Sequence, residues 1–202
     1  MIKNIIFDMS EVIISGYHGI EKILENKKNI PTEVFEKRKE ETLDVFLDTM
    51  RGKYTENEYI DCLLNGTDWN ITKDEFKEII RENLNIPVPG TMEIVHKLSN
   101  KYNLILLSDY VREWREYIKQ YNSDLNIFKK QFFSFETGIL KKDDGYFKYI
   151  LNESNINQNE TIFIDDYKSN VQKAQECDIN GIVFTNAKDL EKELHKKYNI
   201  NL

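Results

Sequence analysis

The chain has 202 residues, enough to bury a sizeable core as one domain carrying an insertion. Its 40% hydrophobic and 31% charged residues exclude a disordered chain and match a soluble globular one. The net charge is −7, and the basic residues are interleaved with acids, as in Glu36-Lys37-Arg38-Lys39-Glu40-Glu41, so no nucleic-acid surface is expected.

In chain order, Ile2 to Phe7 is an apolar run that reads as a buried strand, stopped by Asp8 and followed by Met9-Ser10-Glu11-Val12. Ser15-Gly16-Tyr17-His18-Gly19 reads as a hinge. From there to Pro89 the pattern is helical and charged. Pro31 suits the first turn of a helix carrying Val34, Phe35, Leu43 and Phe46. Thr55-Glu56-Asn57-Glu58 and Thr72-Lys73-Asp74-Glu75 are capping boxes, each opening an amphipathic stretch; the second carries Phe76, Ile79, Ile80 and Leu84. Pro87-Val88-Pro89-Gly90 reads as a return linker.

The pattern then alternates. A helix over 91–100 leads to a strand over 103–108, and a helix over 111–121 to a strand over 131–135. A helix over 144–153 leads to a strand over 161–164, and a helix over 168–177 to a strand over 181–184. A last helix runs to about Tyr198. This predicts an α/β fold: a Rossmann-like parallel sheet with helices on both faces, formed by residues 1–15 and 90–202, and an inserted helical cap over 16–89.

Asp8, Ser108, Lys141 and the Asp165-Asp166 pair sit at or near the ends of separate predicted strands. A parallel sheet gathers such positions into one crevice. Their chemistry is coherent: one carboxylate to attack phosphorus, a hydroxyl and an ammonium to hold phosphoryl oxygens, and carboxylates to hold Mg²⁺.

With these residues the chain resembles the haloacid dehalogenase-like hydrolases, most of which are Mg²⁺-dependent phosphatases. The likeness covers nearly the whole chain. It rests on Phe7-Asp8-Met9-Ser10-Glu11-Val12, then on Leu106-Leu107-Ser108. A third motif is Glu136, Gly138, Lys141, Asp143 and Phe147 to Leu151, and a fourth Phe163-Ile164-Asp165-Asp166 with Asn170-Val171 and Ala174. Arg51-Gly52-Lys53-Tyr54-Thr55 with Glu58 resembles a turn in helical caps of the sugar-phosphatase branch.

The resemblance implies a small phosphorylated substrate, such as a sugar phosphate, and an aspartyl-phosphate on Asp8. Mg²⁺ would be held by Asp8, the Ser10 carbonyl and Asp165. Ser108, Asp109 and Lys141 would border the phosphoryl group, and Asp166 would orient Lys141 or a metal-bound water. The catalytic set is thus Asp8, Ser10, Lys141 and Asp166.

Ser10 departs from the family, which usually has a second Asp there as general acid and base. A hydroxyl cannot do that work, typically worth about 10²–10⁴-fold. A leaving group of low pKa would suffer least. Glu11 either replaces part of that function or faces away, as alternation in an extended segment implies. Asp109 stands where Asn is common, and its side chain is expected to cap the helix beginning near Val111. Lys142 replaces a frequent Pro and reads as solvated. Asp178 takes the place of a helix-ending Gly and suits a left-handed conformation.

Other residues carry less chemistry. His96 and His195 read as ordinary side chains, while His18 could meet the substrate from the hinge. Trp69 reads as a packing residue, and Phe132, Phe133 and Phe135 as a buried strand. Trp114, Tyr117 and Tyr121 read as packing onto the sheet. Cys62 and Cys177 lack metal-ligand spacing and read as reduced thiols. The first strand begins so early that a cytoplasmic location without a leader is expected, and no segment approaches the ~20 apolar residues of a membrane span.

There is no GxSxG elbow and no GxxxxGK[ST] or GxGxxG loop. Two competing functions remain. One is a haloacid dehalogenase, in which Arg38 or Arg51 would have to cradle the halide. The other is a catalytically weak or silent relative that binds a phosphorylated ligand or a partner.

Overall fold

The computed structural model describes residues 1–84 and 86–202; position 85, within the expected insertion, lies outside the described residues. Strand β1 (Asn4–Phe7) is followed by helices α1 (Ile20–Lys28), α2 (Thr32–Glu41), α3 (Leu43–Met50), α4 (Glu56–Leu64) and α5 (Lys73–Asn83). Then come α6 (Thr91–Ser99), β2 (Asn103–Ser108), α7 (Arg112–Lys119), β3 (Lys130–Phe133), the short α8 (Ser134–Thr137) and α9 (Tyr146–Ser154). The chain finishes with β4 (Thr161–Asp165), α10 (Lys168–Gln175), β5 (Asn180–Val183) and α11 (Ala187–Tyr198).

Among the described residues these strands form one parallel sheet in the order β3-β2-β1-β4-β5. Its strands are apolar on both faces because both faces are covered. Ile5, Phe7, Leu104, Leu106, Ile162 and Ile164 pack into one cluster, with Val95 and Leu98 of α6 and Leu190 and Leu194 of α11. Ile6, Ile105, Leu107 and Phe163 alternate onto the other face, against Tyr146, Phe147 and Ile150 of α9.

The strand order reverses between β1 and β4, whose register pairs Phe7 with Ile164. The next residues, Asp8 and Asp165, therefore emerge side by side at the switch point.

The helices between β1 and β2 are tied to the sheet by two crossing segments. Ser15 N donates to Ile86 O (2.7 Å), Val88 N donates to Ile13 O (3.0 Å), and Ile14 bridges Pro87. Both capping boxes form, Thr55 with Glu58 and Thr72 with Glu75. One apolar cluster runs from the sheet through Met9, Val12 and Tyr17 to Phe35, Tyr59, Ile60 and Phe76 of these helices. Trp69 packs on Phe35 with ring centroids 6.1 Å apart.

Several expectations are corrected. The helix beginning near Pro31 is two helices, because the chain turns at Thr42 (φ −107°, ψ 13°), whose hydroxyl donates to Arg38 O at 2.9 Å. Strand β3 ends at Phe133, since Ser134 Oγ accepts from Tyr110 N (2.9 Å) and donates to Met50 O (2.6 Å), turning the chain into α8. Phe135 is therefore buried on a helix.

Trp114 packs against the inserted helices as well as belonging to the buried cluster that reaches the sheet. It stacks on Tyr17 at 5.0 Å, and its Nε1 donates to Glu56 Oε1 of α4 at 2.6 Å. Tyr121 is exposed and leans on Tyr117. Cys62 and Cys177 are free and half-buried. Among the described residues no helix is long and apolar enough to cross a membrane.

Candidate active site

Asp8 follows β1 directly, and its N–H still donates to Ile164 O (2.8 Å) as if continuing the ladder. Its Oδ1 accepts from Met9 N at 2.7 Å and meets Lys141 Nζ at 2.9 Å. Lys141 arrives on the segment after α8 and is also bound to Asp165 Oδ2 at 2.7 Å. All three side chains are buried, at 5% exposure or less. Asp165 is further fixed by Tyr167 N on Oδ1 (2.8 Å) and by Asn170 Nδ2 (3.1 and 3.2 Å). One oxygen from each of Asp8, Asp165 and Asp166 lies within 4.8 Å of the others.

The charges are unbalanced. Burial is the main reason that Asp8 sits well above the usual carboxylate range; Lys141 opposes it, and Asp165 and Asp166 add to it. Burial works to lower the Lys141 ammonium, but Asp165, Asp8 and Asp109 outweigh it and hold the group above its ordinary value. Asp166 is pushed up to about 6, first by burial and then by Asp165. Three carboxylates thus share one ammonium. An oxygen-only donor set short of positive charge fits a hard divalent cation.

A cleft of about 380 Å³ opens above this group, lined at its polar end by Asp8, Ser10, Glu11, Asp109, Lys141 and Asp166. Ser108 ends β2 fully buried, and its hydroxyl has no hydrogen-bond partner among the described residues. Such an orphan typically costs about 1–3 kcal/mol unless something satisfies it.

A family model described as haloacid dehalogenase-like hydrolase matches residues 2–178. The chain belongs to the haloacid dehalogenase-like hydrolases. In fold, this hydrolase is similar to a HAD family enzyme from Bacteroides thetaiotaomicron in its magnesium complex. The two share 21% identity at a TM-score of 0.79, over 96% of this chain and 99% of that one. The same enzyme with magnesium and inorganic phosphate matches at 21% identity and a TM-score of 0.74, over 92% of this chain and 96% of that one. A HAD-like family hydrolase from Porphyromonas gingivalis matches at 21% identity and a TM-score of 0.76, over 100% of both chains. Among curated proteins none matches.

In this haloacid dehalogenase-like hydrolase the departures take definite shapes. Asp109 does not cap α7, whose N-cap has no side-chain bond. Both Asp109 oxygens instead accept from Lys141 N (3.1 and 3.2 Å), so the carboxylate anchors the segment that delivers the lysine. Burial pushes Asp109 up to about 6.

Glu11 does not face away. Its backbone is left-handed (φ 58°), so strand alternation does not apply, and its Oε1 accepts from Gly16 N at 2.8 Å. Lys141 is oriented by Asp8 and Asp165 rather than by Asp166. Lys142 is exposed at the rim, and Asp178 adopts φ 60°. His18 lines the cleft, with its ring 5.9 Å from that of Tyr167.

Sequence reasoning assigned no role to Asn170 or Glu56. Asn170 stands five residues after Asp165, where the first turn of α10 brings its amide back to the carboxylate. Nothing local signals Glu56, whose partners Arg81 and Trp114 come from other helices.

Proposed function

We propose that this chain is a Mg²⁺-dependent phosphatase of the helical-cap branch, acting on a small phosphorylated metabolite through an aspartyl-phosphate on Asp8. The observation that carries this reading is the Lys141 ammonium bridging Asp8 and Asp165 at adjacent strand ends, with Asp166 beside them. Asp8, Asp165 and the Ser10 carbonyl would hold Mg²⁺, with Asp166 near, and the bound ion supplies positive charge against the phosphoryl oxygens.

The contacts described for the Asp8 carboxylate fall on Oδ1, so the group is fixed while Oδ2 forms the bond to phosphorus. As that bond forms, the ester P–O bond breaks, and the leaving oxygen takes its proton from solvent water, since Ser10 offers none. Water then cleaves the aspartyl-phosphate, releasing phosphate and restoring Asp8. Lys141 offsets charge on the transferring group, and the Ser108 hydroxyl, buried at the end of β2 without a partner among the described residues, would donate to a phosphoryl oxygen.

Ser10 supplies no titrating proton, so turnover is fastest with leaving groups that need little protonation. Residues 16–89 act as the cap over a core of 1–15 and 90–202. A dehalogenase finds less support. Arg38 is spent on the carbonyls of Leu63 and Cys62, Arg51 on Asp143 and Asp48, and neither lines the cleft.

The test is phosphate release across a panel of phosphorylated metabolites with Mg²⁺. Activity lost in Asp8→Asn supports the reading. Activity that survives this substitution, or halide release from haloacids without Mg²⁺, overturns it.

A further inference from the structure

The inserted helices contribute only apolar side chains to the cleft. Leu43, Phe46, Leu47 and Met50 recur at i, i+3, i+4 and i+7 along one face of α3, and all four line it. They are not closed away like core residues: Leu43 is 48% exposed and the other three are half-buried. Beside them the wall is aromatic. Tyr17 is stacked between Phe46, at 5.1 Å, and Trp114, at 5.0 Å.

The polar tips of these rings are turned to other work. The Tyr17 hydroxyl bonds that of Tyr59 (2.8 Å), and Trp114 Nε1 donates to Glu56. Tyr110 also lines the cleft, and its hydroxyl is buried without a hydrogen-bond partner among the described residues. A ligand in this half of the cleft therefore meets mainly the apolar side chains of α3 and the exposed parts of this aromatic stack.

Charge narrows the choice further. Among the cleft-lining side chains, Lys141 is already shared by Asp8 and Asp165, and Lys142 stands exposed at the rim. Glu11, Asp109 and Asp166 line the same space, so it offers a poor berth for a second anionic group. A sugar ring set against α3 would find no polar side chain on that helix, while His18 and Tyr167 bond each other and Asn170 is spent on Asp165; each hydroxyl left unpaired costs roughly tenfold or more in affinity. A flat apolar group loses no hydrogen bonds there and stacks on the wall. The volume, about 380 Å³, suits a small molecule.

We propose that the substrate is a phosphate monoester of a small, flat, apolar alcohol or phenol, its ring lying against Phe46, Leu47 and Trp114 while its phosphate meets Asp8 and Lys141. This narrows the phosphatase reading and rests on it.

The test is calorimetric binding of three stable probes to the full chain with saturating Mg²⁺: methylphosphonate, benzylphosphonate and the phosphonate analogue of glucose 6-phosphate. Benzylphosphonate should bind at least about tenfold tighter than methylphosphonate, the gain expected from burying one ring. The sugar analogue should bind no tighter than methylphosphonate. Leu47→Asn, and separately Leu43→Asn at its half-exposed position, should cut the benzyl advantage by about threefold or more and leave methylphosphonate unchanged.

Equal affinities, or a preference for the sugar analogue, overturn the proposal while leaving the phosphatase reading intact. A protein that binds neither methylphosphonate nor inorganic phosphate overturns both.

Discussion

Asp109→Asn should make the metal-free protein more stable at neutral pH. Asp109 lies against the phosphate end of the cleft, and burial pushes its carboxyl up to about 6. In the unfolded chain the same group titrates near 3.9, as a model Asp does. A folded value raised above the unfolded one contributes stability that is complete below about pH 4 and lost as pH rises through about 6. A gap of about two units corresponds to roughly 2–3 kcal/mol. That figure already contains the attraction of Lys141, which pulls the value down.

Asn has the same shape and keeps an oxygen to accept from Lys141 N, now at 3.1 Å. The substitution should therefore remove the penalty without removing the anchor, raising Tm by roughly 5–10 °C at pH 8. Thermal unfolding with EDTA between pH 4 and pH 8 measures it. The two proteins should converge toward pH 4. An Asp109→Asn protein no more stable than wild type at pH 8, or a gap that ignores pH, would refute the argument.

Two further outcomes concern the hinge and the contact between the inserted helices and the sheet domain. Glu56→Gln removes the charge from a side chain only 4% exposed that binds Arg81 at 2.6 and 2.7 Å and Trp114 at 2.6 Å. Urea unfolding should show a loss on the order of 3 kcal/mol, and a loss below about 1 kcal/mol contradicts the pairing. Gly16→Ala would place a Cβ 2.8 Å from Ser10 Oγ and 2.9 Å from Ser10 Cβ, destabilising by about 1–3 kcal/mol. Ser10→Gly in the same chain should recover most of that loss and Ser10→Ala little of it; strictly additive losses would show that the two residues do not collide.

The site was legible where its signal is local. Asp8 and Asp165 each terminate an apolar run, and the register of a parallel sheet does the rest. Both capping boxes were readable because their bonds span three residues. What escaped depends on partners distant in sequence or on a single torsion. Glu11 turns into the left-handed region, so strand alternation does not predict where its carboxylate lies, and it lines the cleft.

Trp114 sits at a helical spacing that identifies a buried face but not whether a sheet or another helix covers it. The stripe of α3 looks the same in sequence whether it packs in a core or borders a cavity. Thr42 breaks a pattern that periodicity alone continues, because a hydroxyl bonded to the preceding turn has no hydrophobic signature.

The proposed chemistry requires Asp8 and Asp165 to hold a single divalent ion, with Asp166 beside them. Calorimetric titration of Mg²⁺, with and without beryllofluoride, tests this on the wild type and on Asp8→Asn and Asp165→Asn. The expected result is one ion per chain, bound more tightly when beryllofluoride is present, and abolition of that tightening by either substitution. Mg²⁺ binding that is indifferent to both substitutions, or beryllofluoride retained without Asp8, would contradict it.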